Sequence, residues 1–446
     1  MKYNKYKSTD IDWLGEVPLN WSVKRVKDII VKIGSGVTPK GGSEVYLKSG
    51  VPLLRSQNVY DEGLRIEDVS FIDETTNHKM KNSQLKPNDI LINLTGASIG
   101  RTCIVPYSMP KANINQHIIF LRLNKKLVPF ISSYFKTHIV KEYINLIQAG
   151  TSKEALNMGQ TLNVPIILPP IYEQETIAQY LSIKTQSINK KITLLKQKTN
   201  YYKELRRNII NEAVCKGLDK SVKSKTSEYL FSVNSNWDIY RLKDLGFLYS
   251  GLSGKSGNDF NQDNNPNNKD YIPFTNIANN TNLDITNLAK VVVLDNEKQN
   301  KVRKGDLFFL MSSEGYEDVG KTSILKGDLK DTYLNSFCKG YRLNKNNCEP
   351  NYLNYLLLSD NYRKSLIIEG KGFTRINLKM EKLTDFFVYL PPTIKEQNKI
   401  VVYLDETTKK IDSIIDNITK QIKILNELRK TLINDVAIGK IKVTNN

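Results

Sequence analysis

Residues 315–322, GYEDVGKT, satisfy the GxxxxGK[ST] pattern of a phosphate-binding loop. In such a loop the backbone amides and a following helix N-terminus hold the phosphates, while the lysine and hydroxyl serve the outer phosphates and Mg2+. The pattern therefore needs a strand before it and a helix after it. Residues 306–311, DLFFLM, suit the strand. After Thr322 comes SILKGDLKD, whose Gly-Asp pair predicts a strand and a turn, so nucleotide binding is not expected there. Other chemistry is sparse. The three histidines, His78, His117 and His138, form no cluster. Cys103, Cys215, Cys338 and Cys348 include no Cys-x-x-Cys pair, so a zinc site is not expected and the thiols read as reduced. There is no serine nucleophile elbow, no Gly-x-Gly-x-x-Gly after a strand, no Asn-Pro-Pro-Tyr/Phe and no Pro-Asp dipeptide. Neither methyl transfer nor nuclease chemistry is expected of this chain by itself.

What the chain does carry is a set of polar loop residues suited to phosphate oxygens and base edges. Thr95, Ser98, Arg101 and Thr102 sit on a Gly-rich loop between two strand-like runs. Ser312, Ser313, Lys321 and Thr322 occupy the matching place later in the chain. Arg55, Gln57 and Asn58 follow a short apolar run, as do Thr275 and Asn276. Lys153 matches Arg375, with Thr374 beside it. Arg can read guanine and Asn or Gln adenine, so these residues can specify sequence as well as position.

These sets match because the chain repeats itself. NWSVKRVKDI at Asn20 returns as NWDIYRLKDL at Asn236, an offset of 216 residues. INQHIIFLRLN from Ile114 returns as LNSFCKGYRLN, and ILPPIYEQETIAQYL from Ile167 as YLPPTIKEQNKIVVYL. KELRRNIINEAV at Lys203 returns as NELRKTLINDVA at Asn426, an offset of 223. Two halves with one plan imply two similar working surfaces related by a pseudo-two-fold axis.

At 446 residues the chain exceeds one core, and 40% hydrophobic content is that of a globular protein. The net charge is +19, and Lys+Arg exceed Asp+Glu in both halves. A basic surface in both halves points to a polyanionic partner, nucleic acid first. With no apolar leader and no run of about 18 apolar residues, a soluble cytoplasmic protein is expected.

Within each half, short strand-like runs come first, at Val51–Leu54, 89–94, 102–105 and 117–123 in the first copy. A helix is expected at 129–147 and a last strand at 164–168, ended by a double proline. Helix follows from 171 to 181, and then a longer helix from about 184 to 214. Its expected seam is Ile188, Ile192, Leu195, Thr199, Tyr202, Leu205 and Ile209. The second copy repeats it as Ile411, Ile415, Ile418, Ile422, Leu425, Leu428 and Leu432. Near-heptad spacing with polar flanks predicts two long helices paired antiparallel as a spacer. The expected fold is α+β: two globular mixed α/β domains, separated by an antiparallel coiled coil.

The frame NW-x-x-x-[RK]-[VL]-K-[DE], the loop Gly36-Val-Thr-Pro39, PLLRSQNV, KPNDIL, the doubled LPP-x-x-x-EQ and KELRRNIINEAV together resemble the DNA-specificity subunit of type I restriction–modification systems. The second copy departs at 251–268, an Asn/Gly-rich loop without the matching proline. The resemblance implies target-recognition domains at 1–170 and 217–391, the latter opening on a linker, and helical spacers at 171–216 and 392–446. It implies a split double-stranded DNA site, one half for each domain, with the helices as ruler. It also implies two methyltransferase subunits and motor-nuclease restriction subunits as partners, with S-adenosylmethionine, ATP and Mg2+ belonging to them. A stand-alone phosphate-loop ATPase or nuclease, or a tandem DNA-binding regulator, are the alternatives.

Overall fold

The beginning of each half pairs with its end, and this closure places everything else. Ser22–Arg25 runs antiparallel to Pro165–Leu168, and Asp238–Arg241 runs antiparallel to Phe387–Leu390. The computed structural model describes residues 2–109, 111–148, 155–260, 262, 264–344, 346–370, 372 and 375–443. The chain forms two compact units, residues 1–196 with 419–446, and residues 197–418. Neither unit is the continuous half that the repeat suggests. Each takes the head of one copy, the helix segment that leaves it, and a helix segment of the other copy.

The head of the first unit has a four-stranded antiparallel sheet, ordered Thr102–Ile104, Ile90–Asn93, Ile118–Leu123, Ile30–Ser35. Beside it, Val51–Leu54 pairs parallel with Asn113–Ile114 and antiparallel with Ser70–Ile72. The second unit repeats both sheets. Its four strands are Gly246–Ser250, Cys338–Leu343, Leu307–Leu310 and Thr322–Ile324, and its three are Ala289–Val292, Asn268–Ile272 and Thr332–Leu334. Strand alternation divides the core. Ile90, Ile92, Ile119 and Leu121 face one cluster, with Phe130 and Tyr134, while Leu91, Ile118 and Phe120 face the other. Leu307 and Phe309 against Phe308 and Leu310 repeat the division.

An ion pair between a buried carboxylate and a partly exposed arginine fixes the sheet in each head. Asp89 accepts from Arg122 Nε and Nη2 at 2.8 and 2.7 Å, and Asp306 accepts from Arg342 Nε and Nη2 at 2.8 and 2.6 Å. The same carboxylates accept the backbone N–H of Lys86 and Arg303. The helix expected at 129–147 is two helices, Val128–Tyr134 and His138–Gln148. Thr137 Oγ1 bonds Tyr134 O at 2.7 Å and ends the first of them. Ser359 does the same to Leu356 O between Pro350–Leu358 and Asp360–Ile368.

The helices expected at 171–181 and 184–214 are one, Ile171–Lys216, because neither Gly nor Pro interrupts the run. Its counterpart is Ile394–Ala437. No helix among the described residues is long and apolar enough to cross a membrane. The pairing is antiparallel in each unit. In the first, Ile177 and Leu181 share a core with Val436, Ala437 and Ile438. In the second, Ile400, Val401 and Leu404 share one with Ile210, Ala213 and Val214.

The seam is corrected at two positions. Ile188, Ile192, Ile411 and Ile418 are buried, and Leu195, Tyr202, Ile209, Ile415, Ile422, Leu425 and Leu432 half-buried, but Leu205 is 45% and Leu428 52% exposed. Strict alternation of four and three continues from Tyr202 to Arg206 and from Leu425 to Arg429, so the arginines take those places. Arg206 Nε donates to Asp412 Oδ1 at 3.0 Å, and Arg429 Nη1 donates to Asn189 Oδ1 at 2.6 Å. Asn189 and Asp412 match in the repeat, so one polar pair occurs in both units, charged in one and half-neutral in the other. Arg429 also bonds Glu62 of the head.

Each helix start is locked to its head. Trp21 Nε1 donates to Glu173 Oε2 at 3.0 Å, and Trp237 Nε1 donates to Glu396 Oε1 at 3.2 Å. Tyr3 also donates to Glu173. Gln174 and Gln397 donate to the carbonyls of Pro169 and Pro391.

Glu173→Ala leaves the buried indole N–H without a partner, and about 1–3 kcal/mol of stability is expected to be lost, against a smaller loss for Glu173→Gln, which keeps an acceptor. Urea unfolding followed by tryptophan fluorescence measures both. Asp89→Ala removes the buried acceptor of a partly exposed Arg122 and of the Lys86 N–H, and is expected to cost about 1–3 kcal/mol. Asp306→Ala, which also leaves the Tyr249 hydroxyl without its acceptor, is expected to cost more, and Asp89→Ala with Arg122→Leu to recover part of the loss.

Candidate nucleic-acid interface

In each head the loops at one end of the central strands are bonded to one another. A glycine starts the convergence. A Cβ on Gly36 would lie 2.1 Å from Asn115 O, and one on Gly251 would lie 2.1 Å from Asn335 O. Only glycine lets these backbones approach so closely. Asn115 N donates to Leu54 O at 3.0 Å, and Asn335 N to Ile272 O at 3.1 Å, which brings in the loop after the three-stranded sheet's central strand. Leu94 N donates to His117 O and Leu156 N to Leu94 O, adding two further loops in the first head. In the second, Ser312 and Ser313 pair with Asn377 and Ile376.

Polar side chains cross this surface in the first head. Thr38 donates to Gln116 Oε1. Gln116 Nε2 lies 3.2 Å from His117 Nε2, and His117 Nδ1 lies 3.1 Å from Thr95 Oγ1. With the amide nitrogen as donor, Nε2 accepts and Nδ1 carries the proton to Thr95. Among the described residues the second head shows no such row. Phe337 stands in place of His117, 55% exposed, with the Arg375 guanidinium 5.3 Å from its ring. Lys339 Nζ donates to Ser250 Oγ nearby in the sheet at 2.8 Å.

The candidate residues divide accordingly. Gln57, Thr275 and Arg375 are exposed, and Thr95, Ser98 and Ser312 are half-buried. Arg55 lies against the Tyr46 ring and donates to Asp68 O at 3.3 Å. Arg101 lies over Tyr60, at 4.9 Å, and Arg65 lies over the same ring at 3.5 Å. Asn58 and Asn276 are corrected: they are 1% and 0% exposed, and their amides brace loops instead of facing solvent. Asn58 holds Arg55 N and Arg65 O, and Asn276 holds Asp284 N, Asp284 O and Asn287 O. Ser313 is buried and accepts from Gly315 N. Lys321 is held by Asp318 at 2.5 Å, and Thr322 is buried against Asn354. Thr322 opens a strand, not a helix, so residues 315–322 lack the geometry of a phosphate loop. Lys153 and Thr374 lie outside the described residues. Thr38, Gln116, His117 and Phe337 are not among the residues that sequence pattern nominated for DNA reading. The only signal was that His117 and Phe337 align inside an otherwise matched segment.

The cysteines offer no nucleophile. All four are buried, and burial pushes the thiols of Cys103 and Cys338 up to about 12 and that of Cys215 up to about 11. No group of His, Cys, Asp or Glu among the described residues could hold a metal ion.

The chain matches the type I restriction modification DNA specificity domain twice, over residues 18–200 and 234–424. It is 22% identical to the type I restriction enzyme MjaVIII specificity subunit of Methanocaldococcus jannaschii, over 96% of this chain and 95% of that one. It is 22% identical to the EcoKI specificity subunit of Escherichia coli K12, over 96% and 90%. A solved chain from a study of complex assembly and conformational transition in a type I R-M system shares the fold, with a TM-score of 0.71, 16% identity, and coverage of 95% of this chain and 99% of that one. With both copies of the repeat matched and the fold shared end to end, this chain belongs to the type I restriction modification DNA specificity domain family.

Proposed function

We propose that this chain is the non-catalytic DNA-reading subunit of a type I restriction–modification complex. Each head takes one half of a bipartite site in double-stranded DNA through its strand-end loops. The long helices set the gap and dock two methyltransferase subunits, and motor-nuclease subunits join that assembly. S-adenosylmethionine, ATP and Mg2+ belong to the partners, and the setting is the cytoplasm, where the DNA is. One observation carries the reading. The same glycine-seated loop cluster is built twice on the same sheets, with different side chains at matching places. Duplicated scaffold with altered tips is what reading two different half-sites requires. The buried thiols and the phosphate-loop pattern that lacks its helix weigh against the enzyme alternatives.

The test is to express the chain with its methyltransferase subunit in a host lacking restriction and map methylated bases by sequencing. A bipartite motif that vanishes without this chain is expected. The purified chain alone should neither methylate nor cleave; turnover by it would overturn the assignment. Binding by the complex should weaken steeply with salt, because each neutralised phosphate releases counterion with a slope of about −0.9 per contact.

Arg55→Ala and Arg375→Ala should act on different halves of the motif. Loss of one base-reading or phosphate-positioning arginine is expected to cost about 1–3 kcal/mol. Competition binding with half-site-scrambled duplexes separates the two, and equal weakening at both halves would contradict a two-headed reader.

A further inference from the structure

The turn before the central strand makes the same backbone hydrogen bonds in the two heads and differs at its tip. Asn115 Oδ1 accepts from His117 N at 3.2 Å, and Asn335 Oδ1 accepts from Phe337 N at 2.9 Å. Asn115 N and Asn335 N are tied to the neighbouring sheet, and Gly36 and Gly251 seat the turns. Backbone and asparagine therefore hold the tip residue in place, whatever its side chain. In the first head that side chain is a half-buried imidazole already bonded to Gln116 and Thr95. In the second it is a phenyl ring, 55% exposed, with the Arg375 guanidinium 5.3 Å from its centroid. Water solvates such an exposed ring poorly. Arg375 covers part of it as a cation over the ring face.

Resting on the specificity-subunit reading, we infer that Phe337, partly covered by Arg375, is a specificity-determining residue of the second head that reads a thymine by apolar contact with its 5-methyl group. The thymine methyl is the apolar feature of the major-groove edge, and a phenyl ring is among the groups that contact it. The arginine beside it can meet the adjoining phosphate or a guanine edge, so the pair joins one apolar and one polar contact. His117, at the same place in the first head, has both ring nitrogens engaged by Gln116 and Thr95 and offers no phenyl face, so no such preference is expected there. The difference is one of chemistry at a single matched position, on an otherwise shared support.

The experiment uses the full chain in complex with its methyltransferase subunit and a duplex carrying the mapped motif. Each thymine, on either strand, is replaced in turn by deoxyuridine, which removes only the methyl. One position, confined to one half-site, should weaken binding by about four-fold, the effect of burying one methyl. Phe337→Ala should bind less tightly and treat thymine and deoxyuridine alike at that position. His117→Ala should retain the discrimination there, and Arg375→Ala should reduce it. Phe337 and Arg375 lie at the surface and His117 is half-buried, and the circular dichroism of each variant checks its fold. Preference for thymine retained by Phe337→Ala, or no thymine of a clear motif that responds, overturns this inference alone. A wild-type complex that modifies no bipartite motif overturns the specificity-subunit reading and this inference with it.

Discussion

The indole–carboxylate contact between each head and its long helix is the constraint on which the rest depends. The strand that begins a head pairs with the strand that ends it, so the Asn-Trp at one end comes beside the Pro-Pro-x-x-x-Glu-Gln at the other. The double proline stops the sheet, the glutamate of the first helical turn accepts from the indole, and the adjacent glutamine returns to the proline carbonyl. A buried N–H that loses its acceptor destabilises more than an ordinary hydrogen bond stabilises. The direction in which a helix leaves its head is thereby tied to the sheet, and the sheet carries the loops.

From that joint the support runs through the sheet to its far end. The Asp89–Arg122 and Asp306–Arg342 pairs clamp two strands and a preceding turn in each head. The glycine at the end of the first sheet strand lets the turn before the central strand lie against it. Asn58 and Asn276 finish neighbouring loops from within. What remains at the surface is a small set of tips whose backbones are held and whose side chains can vary. A recognition module needs that separation, because a change of specificity then costs little stability.

The helices follow the same economy of repetition. Leu205 and Leu428 look like seam residues by type, yet the heptad carries the seam to Arg206 and Arg429. Each arginine there meets Asp412 or Asn189, one position along from the matched isoleucines 411 and 188. A polar pair within an apolar seam fixes register at some cost in stability. Here it also reaches the head in the first unit, through Glu62.

The repeat, the short strands, the long helical seams and the absence of a nucleotide loop were legible in the sequence, because periodicity, proline and glycine act locally; the break expected between 181 and 184 was not real, and Ile171–Lys216 is one helix. Matched segments also identified the loops that gather at the strand ends. The sequence could not separate Gln57, which faces solvent, from Asn58 next to it, which braces its loop, since both are short polar amides on one run. Nor could it place Phe337 at a surface tip, because an aromatic in an apolar run reads as core by type. Tertiary structure decided these points. Whether a side chain is buried depends on segments distant in sequence, such as Leu54 beside Asn115 or Ile272 beside Asn335, and no local pattern encodes that pairing. The sequence by itself determined that there are two readers of one design. The packing of distant loops determined which residues of each are free to read.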